Sequence, residues 1–186
     1  MDPNELVRWA EAKASTLLSD MGDRWQHVQA VAAQADEVGQ VLNSEDDRAA
    51  LLAAAWLHDV GYAPSIAATG FHSLDGARYV RRLGHERIAG LVAHHSAANF
   101  EAELRGLSAE LAEFPDEAST ATAALAYCDM LTGPTGNPVS LRKRIAGVKR
   151  RYGAGHVVYR SMVRARPELT RMIDLVEDRL YELAHS

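Results

Sequence analysis

The stretch that most constrains the fold runs from Ala49 to Gly61, where nine consecutive apolar residues lead directly into a His-Asp pair. Alanine and leucine favour helix, and a helix that is apolar on all sides is a buried one. We therefore predict that His58 and Asp59 lie at the C-terminal end of a central, buried helix. Ionisable groups in such a place need partners. A divalent cation, favoured by the negative end of the helix dipole, is one such partner. A His-Asp hydrogen bond that caps the helix is the alternative.

Length and composition narrow the class of protein. A chain of 186 residues, 47% of them hydrophobic, predicts one domain with a substantial core. The formal net charge of −5 argues against a general nucleic-acid binder. Cys128 is the single cysteine, which excludes an internal disulfide and a cysteine-based zinc site and fits a reducing compartment. No apolar run reaches the roughly 18 residues of a membrane span, and residues 1–5 do not open a signal peptide. We expect a cytoplasmic protein that does not enter the membrane.

Apolar residues recur at helical spacing along most of the chain, and no segment reads as a convincing strand. The sequence therefore predicts an all-α bundle, with residues 1–186 in a single domain. Ser44 is predicted to cap the central helix, and Asn137 to cap a basic helix that opens with Pro138. Pro167 is expected to divide the C-terminal segment into two helices. The other predicted helices cover 3–19, 23–42, 72–83, 85–96, 100–113 and a segment that starts at Pro115.

Four residues that can bind metal are predicted on the inward faces, or at the ends, of three different helices. They are His27, His58, Asp59 and Asp129. Helical bundles build metal sites from side chains on facing helices. Imidazole and carboxylate ligands together suit iron, manganese, cobalt or zinc better than magnesium or calcium. Each residue alone has a plainer interpretation, a core or surface histidine or a buried hydrogen-bonding aspartate, so the combination carries the prediction.

The order of these residues resembles that of the HD-domain metal-dependent phosphohydrolases, whose signature is His, then His-Asp, then a distant Asp. The matching segments are RWQH at 24–27, LHDVG at 57–61 and AYCD at 126–129. His72-Ser73 followed by Gly76-Ala77, and His94-His95-Ser96, resemble the additional histidines of the subgroups that hold two metals. Together these motifs are most similar to the bacterial hydrolases of dinucleoside tetraphosphates, over roughly residues 20–135.

The resemblance implies a helical bundle of the HD-domain type, with its core at about 20–135 and C-terminal helices, 138–186, packed on it. It implies a first metal held by the four residues named above. Asp59 would bridge to a second metal held by His72 and by either His94 or His95, and helical phase favours His95. One or two divalent transition-metal ions are expected, iron or manganese ahead of cobalt, nickel or zinc.

The implied activity is hydrolysis of a phosphate ester or anhydride, of nucleotide type, by attack of a metal-bound hydroxide. Asp59, His58 and Arg24 are the expected catalytic residues, with Arg24 holding a phosphate. The basic residues between Arg142 and Arg151 could hold a polyphosphate tail or form a solvated face.

Two departures from the family pattern keep other functions open. Tyr62 stands where many relatives have a lysine, and the chain lacks a Pro and an Arg that the tetraphosphate hydrolases carry after Asp129. A catalytically silent regulator that binds metal or nucleotide is the alternative, and a plain helical interaction domain is a third interpretation. The expected partner is a small-molecule phosphate, a homodimer is compatible with the sequence, and neither nucleic acid nor membrane is expected.

Overall fold

A computed structural model describes residues 2–185, and the predicted all-α fold is confirmed. The described residues contain no β-strand, only an isolated bridge between Thr132 and Pro138. None of the described helices combines the length and the apolar composition needed to cross a membrane. The helices are α1 (Pro3–Leu18), α2 (Asp23–Val38), α3 (Glu45–Leu57), α4 (His72–Arg82), α5 (Glu86–His94), α6 (Asn99–Arg105), α7 (Ser108–Leu111), α8 (Thr120–Met130), α9 (Leu141–Tyr152) and α10 (Val157–Ala184).

Helix α3 is central and buried, as its apolar sequence predicts. It packs against α1, α2, α5 and α8. Because many of its side chains are the small methyl groups of alanine, four neighbouring helices can approach it closely. Ser44 caps it as predicted, because the Ser44 hydroxyl accepts a hydrogen bond of 3.1 Å from the Asp47 N–H. The buried residues are Ala49, Ala50, Leu51, Ala53, Ala54, Ala55 and Leu57.

The end of α3 is held close to the start of α4. The chain leaves α3 through His58 and makes a 3₁₀ turn over Val60–Tyr62. A side chain at Gly61 would collide with the backbone carbonyl of His72, so only glycine permits this approach. As a result, the first residue of α4 lies beside the His-Asp pair that follows α3.

The prediction that Pro167 divides the C-terminal segment is wrong, because α10 runs unbroken over 28 residues with Pro167 inside it. Proline removes the hydrogen bond to the carbonyl of residue 163. Both Pro167 and Val163 are exposed, so water can satisfy that carbonyl. Apolar residues on the opposite side of α10, including Ala165 and Leu169, are buried on either side of the proline and keep the helix continuous.

Three other predicted boundaries also differ from the structure. Helix α8 begins at Thr120 with Ser119 as its cap, because the Ser119 hydroxyl accepts from the N–H groups of the first turn, so the helix does not start at Pro115. Ser140, not Asn137, caps α9. The predicted helix over 100–113 is broken at Gly106, which adopts a left-handed conformation with φ of 71° and separates α6 from α7.

The C-terminal helices pack on the rest of the bundle unequally. Helix α10 packs against α6 and α8 and shares an apolar cluster with α8 that includes Met130, Leu169 and Ile173. Helix α9 rests on α10 and has no buried residue of its own. The apolar side chains of α9 are therefore only partly covered by protein.

Candidate metal centre

The first group of metal-capable side chains comes together at the ends of α2, α3 and α8. The Nε2 atom of His27 lies 3.0 Å from Oδ1 of Asp129 and 3.9 Å from Oδ2 of Asp59. The Nε2 atom of His58 lies 3.4 Å from Oδ2 of Asp59 and 4.0 Å from Oδ1 of Asp129. All four side chains are buried. The structure therefore joins residues separated by as many as 102 positions in one cluster.

A second group shares Asp59 with the first. His72 Nε2 lies 3.5 Å from Oδ1 of Asp59, the oxygen that faces away from the first group, and 3.2 Å from Nε2 of His95. Two sets, His27 with His58 and Asp59, and Asp59 with His72 and His95, each have ligand atoms within 4.8 Å of one another. Asp59 thus presents one oxygen to each set, which is the geometry of a bridging carboxylate.

The histidine rings are oriented as metal ligands usually are. Nδ1 of His58 lies 2.8 Å from the carbonyl oxygen of Ala55, and Nδ1 of His95 lies 2.6 Å from that of Val92. In each ring Nδ1–H donates to the backbone, so the Nε2 lone pair is left facing the cluster. The Nε2 atom of His58 is buried and has no hydrogen-bond partner among the described residues. A buried acceptor of this kind is explained by a cation, so the donor set fits a transition-metal site.

The structure brings His95, but not His94, to the cluster. His94 Nε2–H donates to the carbonyl of Phe114 at 3.0 Å, and its Nδ1 is 3.9 Å from Asp116, in a separate cavity. Helix α5 ends at His94, and the backbone then turns through Ser96 in a left-handed conformation with φ of 54° and ψ of 37°. The departure from helical conformation starts at His94 itself, with φ of −102° and ψ of 5°, and the two neighbouring imidazoles line different cavities.

Arg24 and Tyr62 form the edge of the cluster on the α2 side. Arg24 Nη1 donates to Oδ2 of Asp59 at 2.5 Å, and its guanidinium carbon lies 3.9 Å from the centre of the Tyr62 ring. Tyr62 in turn stacks on His72 with ring centroids 4.2 Å apart. Tyr62 therefore occupies the space between the arginine and the second group of ligands and holds both in place.

Burial and neighbouring charges set the protonation of these groups. Burial lowers the pKa of His72 to about 3, so its ring is neutral, as a metal ligand must be. Burial alone would raise the pKa of Asp59, but Arg24 and His58 outweigh that effect and hold this pKa well below its usual range. Asp59 is consequently a buried anion, and its charge is balanced by the positive groups around it.

Two residues at this site could not be assigned from the sequence pattern. The hydroxyl of Ser96 donates to Oδ2 of Asp129 at 2.5 Å, and Nη2 of Arg144 lies 3.2 Å from Oδ1 of the same carboxylate. Arg144 is one of several basic residues in the α9 segment. The sequence pattern singles it out only by the helical face that it shares with Val148 and Arg151, at i, i+4 and i+7. Ser96 gave no signal beyond its place after the paired histidines.

The cluster lies at one wall of a cavity of about 410 Å³, which six helices help to enclose. Its lining includes metal-capable side chains, two arginines of α9 and apolar residues of the C-terminal helices. The contributing elements are α2, α4, α6, α8, α9 and α10, with the turns that follow α3 and α5 and the loop before α9.

A comparison with protein families agrees with this geometry. The family model described as HD domain matches residues 24–146, which is more than half of the chain and includes every member of the two clusters. No curated protein and no solved structure gives a significant match. Proteins with this domain are typically metal-dependent hydrolases. On the family match, supported by the His and Asp clusters, the chain belongs to the HD-domain family.

Proposed function

We propose that this protein is a metal-dependent phosphohydrolase that cleaves a phosphate ester or anhydride of nucleotide type. The observation that carries the proposal is the shared position of Asp59 between two sets of ligand atoms at the wall of one cavity. In this assignment His27, His58, Asp59 and Asp129 hold one divalent cation. Asp59, His72 and His95 hold the other. When bound, such cations acidify a water and neutralise the charge of phosphoryl oxygens.

The chain's own groups prepare the site for an anionic substrate. Arg24 and His58 keep Asp59 negatively charged, and burial keeps His72 neutral. Burial opposes a charge on His58, but Asp59 and Asp129 outweigh that effect and raise the pKa of His58, so a cation bound there would displace a proton. Arg24 is partly exposed, with 21% of its side chain accessible, and its guanidinium can donate two parallel hydrogen bonds to a phosphate. Tyr62, which stands where many relatives have a lysine, supports this function because the Arg24 guanidinium lies over its ring.

We further propose iron or manganese as the metal and the dinucleoside tetraphosphates as the substrate group. The support is the sequence His72-Ser73 followed by Gly76-Ala77, together with His95-Ser96. Gly76 has a structural reason to be glycine, because a side chain there would press on the backbone of Gly61 at 3.2 Å. The motif therefore brings α4, and with it His72, close to the His-Asp pair.

The test of the metal centre compares substitutions of two aspartates, one at each end of α3. Asp59→Asn removes the shared ligand, whereas Asp47→Asn changes a partly exposed aspartate at the other end of α3. We expect the wild type and Asp47→Asn to bind one or two metal ions per chain by elemental analysis. Both should hydrolyse bis(p-nitrophenyl) phosphate or diadenosine tetraphosphate when Mn²⁺ or Fe²⁺ is supplied. Asp59→Asn should lose metal and reduce turnover by about 100-fold or more.

The outcomes separate the proposed enzyme from the other two functions. Metal binding without turnover of either substrate would identify the silent regulator that the Tyr62 substitution allows. An Asp59→Asn protein with the metal content of the wild type would overturn the metal centre itself. Thermal unfolding of both variants by circular dichroism shows that each is folded when it is assayed.

A further inference from the structure

The cavity extends beyond the metal-capable side chains into a cleft whose walls are the two C-terminal helices. At about 410 Å³ it falls in the range of small-molecule sites, roughly 300–1,000 Å³, and offers more room than a phosphate group needs. Eight of its lining residues belong to α9 and α10, and Glu101 of α6 adds a buried carboxylate. The chemistry of these two walls therefore indicates what else the substrate carries.

Helix α9 turns a mixed basic and apolar stripe toward the cavity. Arg144, Val148, Arg151 and Tyr152 occupy positions i, i+4, i+7 and i+8, which lie on one face of a helix, and all four line the cavity. Because α9 has no buried residue, Val148 has no place in the core that would explain its apolar side chain. The other basic residues of the segment do not line the cavity, so only two of its arginines face the site.

Helix α10 supplies the opposite wall, and this wall is apolar. Val158, Ser161, Met162 and Ala165 occupy positions i, i+3, i+4 and i+7 of the helix and line the cavity. The hydroxyl of Ser161 donates to the carbonyl of Val158 at 2.9 Å, so it is not free to recognise a ligand. Methionine adapts its shape to what it contacts. This wall therefore suits an apolar body and offers no charged partner.

Arg144 lies between the apolar walls and the metal-capable clusters. Its Nη2 contacts Asp129, its side chain is 14% exposed, and its Nε is buried without a hydrogen-bond partner among the described residues. A buried donor without a partner is costly unless a ligand accepts its hydrogen bond. A guanidinium with a free donor beside a phosphohydrolase centre is well suited to a phosphate oxygen.

We infer that the cleft between α9 and α10 binds the leaving group of the substrate, and that Arg144 and Val148 determine its chemistry. The inference rests on the proposed phosphohydrolase function. The substrate class is a phosphoric anhydride whose leaving group carries both a second phosphate and an aromatic ring. Arg144 binds the second phosphate, and the ring lies between Val148 on α9 and Met162 on α10.

Three probes separate the two features of the leaving group. ADP, cleaved at its terminal phosphate, has a leaving group with both a phosphate and an aromatic base. Inorganic pyrophosphate offers only the phosphate, and phenyl phosphate offers only the ring. We expect wild-type protein loaded with Mn²⁺ to show the highest kcat/KM for ADP.

Two variants with matched controls then assign each feature to its residue. Arg144→Gln should lower kcat/KM for ADP and pyrophosphate about 10- to 100-fold more than for phenyl phosphate. Val148→Gln should lower it about 10-fold for ADP and phenyl phosphate and leave pyrophosphate unchanged. The controls are Arg142→Gln and Ile145→Gln, which change neighbouring residues of α9 that do not line the cavity. Both controls should behave as the wild type with all three probes.

Calorimetric titration with AMP measures the cleft without turnover. Arg144→Gln and Val148→Gln should each weaken AMP binding by about 10-fold or more, and the controls should not. If the wild type hydrolyses none of the probes but still binds AMP in this way, the proposed function fails and the cleft assignment stands. AMP binding that is unchanged in both variants would overturn the cleft assignment. Equal losses on all three probes, or loss of metal from Arg144→Gln, would show that Arg144 only supports Asp129, and this result would also overturn the inference.

Discussion

Ser96 combines an unfavourable backbone conformation with a direct contact to the candidate centre. Its φ of 54° and the φ of 57° at Ala97 place two consecutive non-glycine residues in the left-handed region, which costs about 1–2 kcal/mol per residue. The Ser96 hydroxyl donates to Oδ2 of Asp129 and leaves Oδ1 to face His27. Strain of this kind persists at sites where the surrounding structure requires it. Here the turn places this hydroxyl beside Asp129, directly after His95 in the chain.

A glycine at each of these two positions separates strain from function. Ser96→Gly relieves the backbone strain but removes the hydroxyl, so we expect metal affinity to fall about 10- to 100-fold. The relief and the lost hydrogen bond offset one another, so the free energy of unfolding should change by less than about 1 kcal/mol. Metal titration and urea unfolding in chelator measure the two quantities. Ala97→Gly is the control, with unchanged metal affinity expected. Equal metal affinity in the two variants would show that the hydroxyl does not position Asp129.

Cys128 precedes Asp129 and is fully buried in α8. Burial raises the pKa of its thiol well above the usual value, so the reactive thiolate is scarce at neutral pH. We expect no reaction of this thiol with Ellman's reagent in the native protein within minutes, and complete reaction in guanidinium. Rapid modification under native conditions would mean that α8 opens readily, and that Asp129 is not held in a stable position.

At the scale of helices, the sequence predicts elements well where an apolar stripe is strong. The run before His58 requires a buried helix, and helical phase favours His95 over His94, in agreement with the side of α5 that faces the cluster. Helical phase explains only part of why His95, and not His94, reaches the cluster. The helix ends at His94, whose φ of −102° and ψ of 5° already depart from helical values, and periodicity cannot predict that departure.

The sequence is a weaker guide for helices that lack a buried stripe. Charge alone did not distinguish a solvated face of α9 from a phosphate-binding one, because the cavity that selects Arg144 and Arg151 exists only after α10 has packed. At Pro167 the expected break in the helix does not occur. Local propensity there opposes the helix, but burial of Leu169 and Ile173 against α8 is the larger effect.

Replacing that proline tests this balance of local and tertiary effects. Pro167→Ala restores a backbone N–H and removes the steric conflict with the preceding turn, at an exposed position. We expect the free energy of unfolding to rise by about 1–3 kcal/mol in urea titration. Arg166→Ala, at an exposed neighbouring position, should change it by less than about 0.5 kcal/mol. A destabilised Pro167→Ala protein would show that the contact of α10 with α6 and α8 depends on a bend at the proline.

At the scale of the whole molecule, the candidate centre exists only when the bundle has assembled. Its side chains come from α2, α4, α8 and the turns after α3 and α5, and the two that lie closest, His27 and Asp129, are 102 residues apart. The unfolded chain cannot hold such a set together. Binding of a cation would therefore be coupled to folding. The buried carboxylates would make that coupling strong, because among the described residues their charges are matched by Arg24, Arg144 and the histidines.

Removal and return of metal should consequently change the stability of the entire chain. Treatment with EDTA is expected to lower the Tm, and Mn²⁺ at about 100 times its dissociation constant should restore about 2.7 kcal/mol of unfolding free energy. We expect the helical signal at 222 nm and the tryptophan fluorescence to shift together, as in a two-state transition. Asp59→Asn provides the control, since its Tm should not respond to either reagent. A wild-type Tm that is also insensitive to EDTA and Mn²⁺ would mean that the clustered imidazoles and carboxylates satisfy one another without a cation.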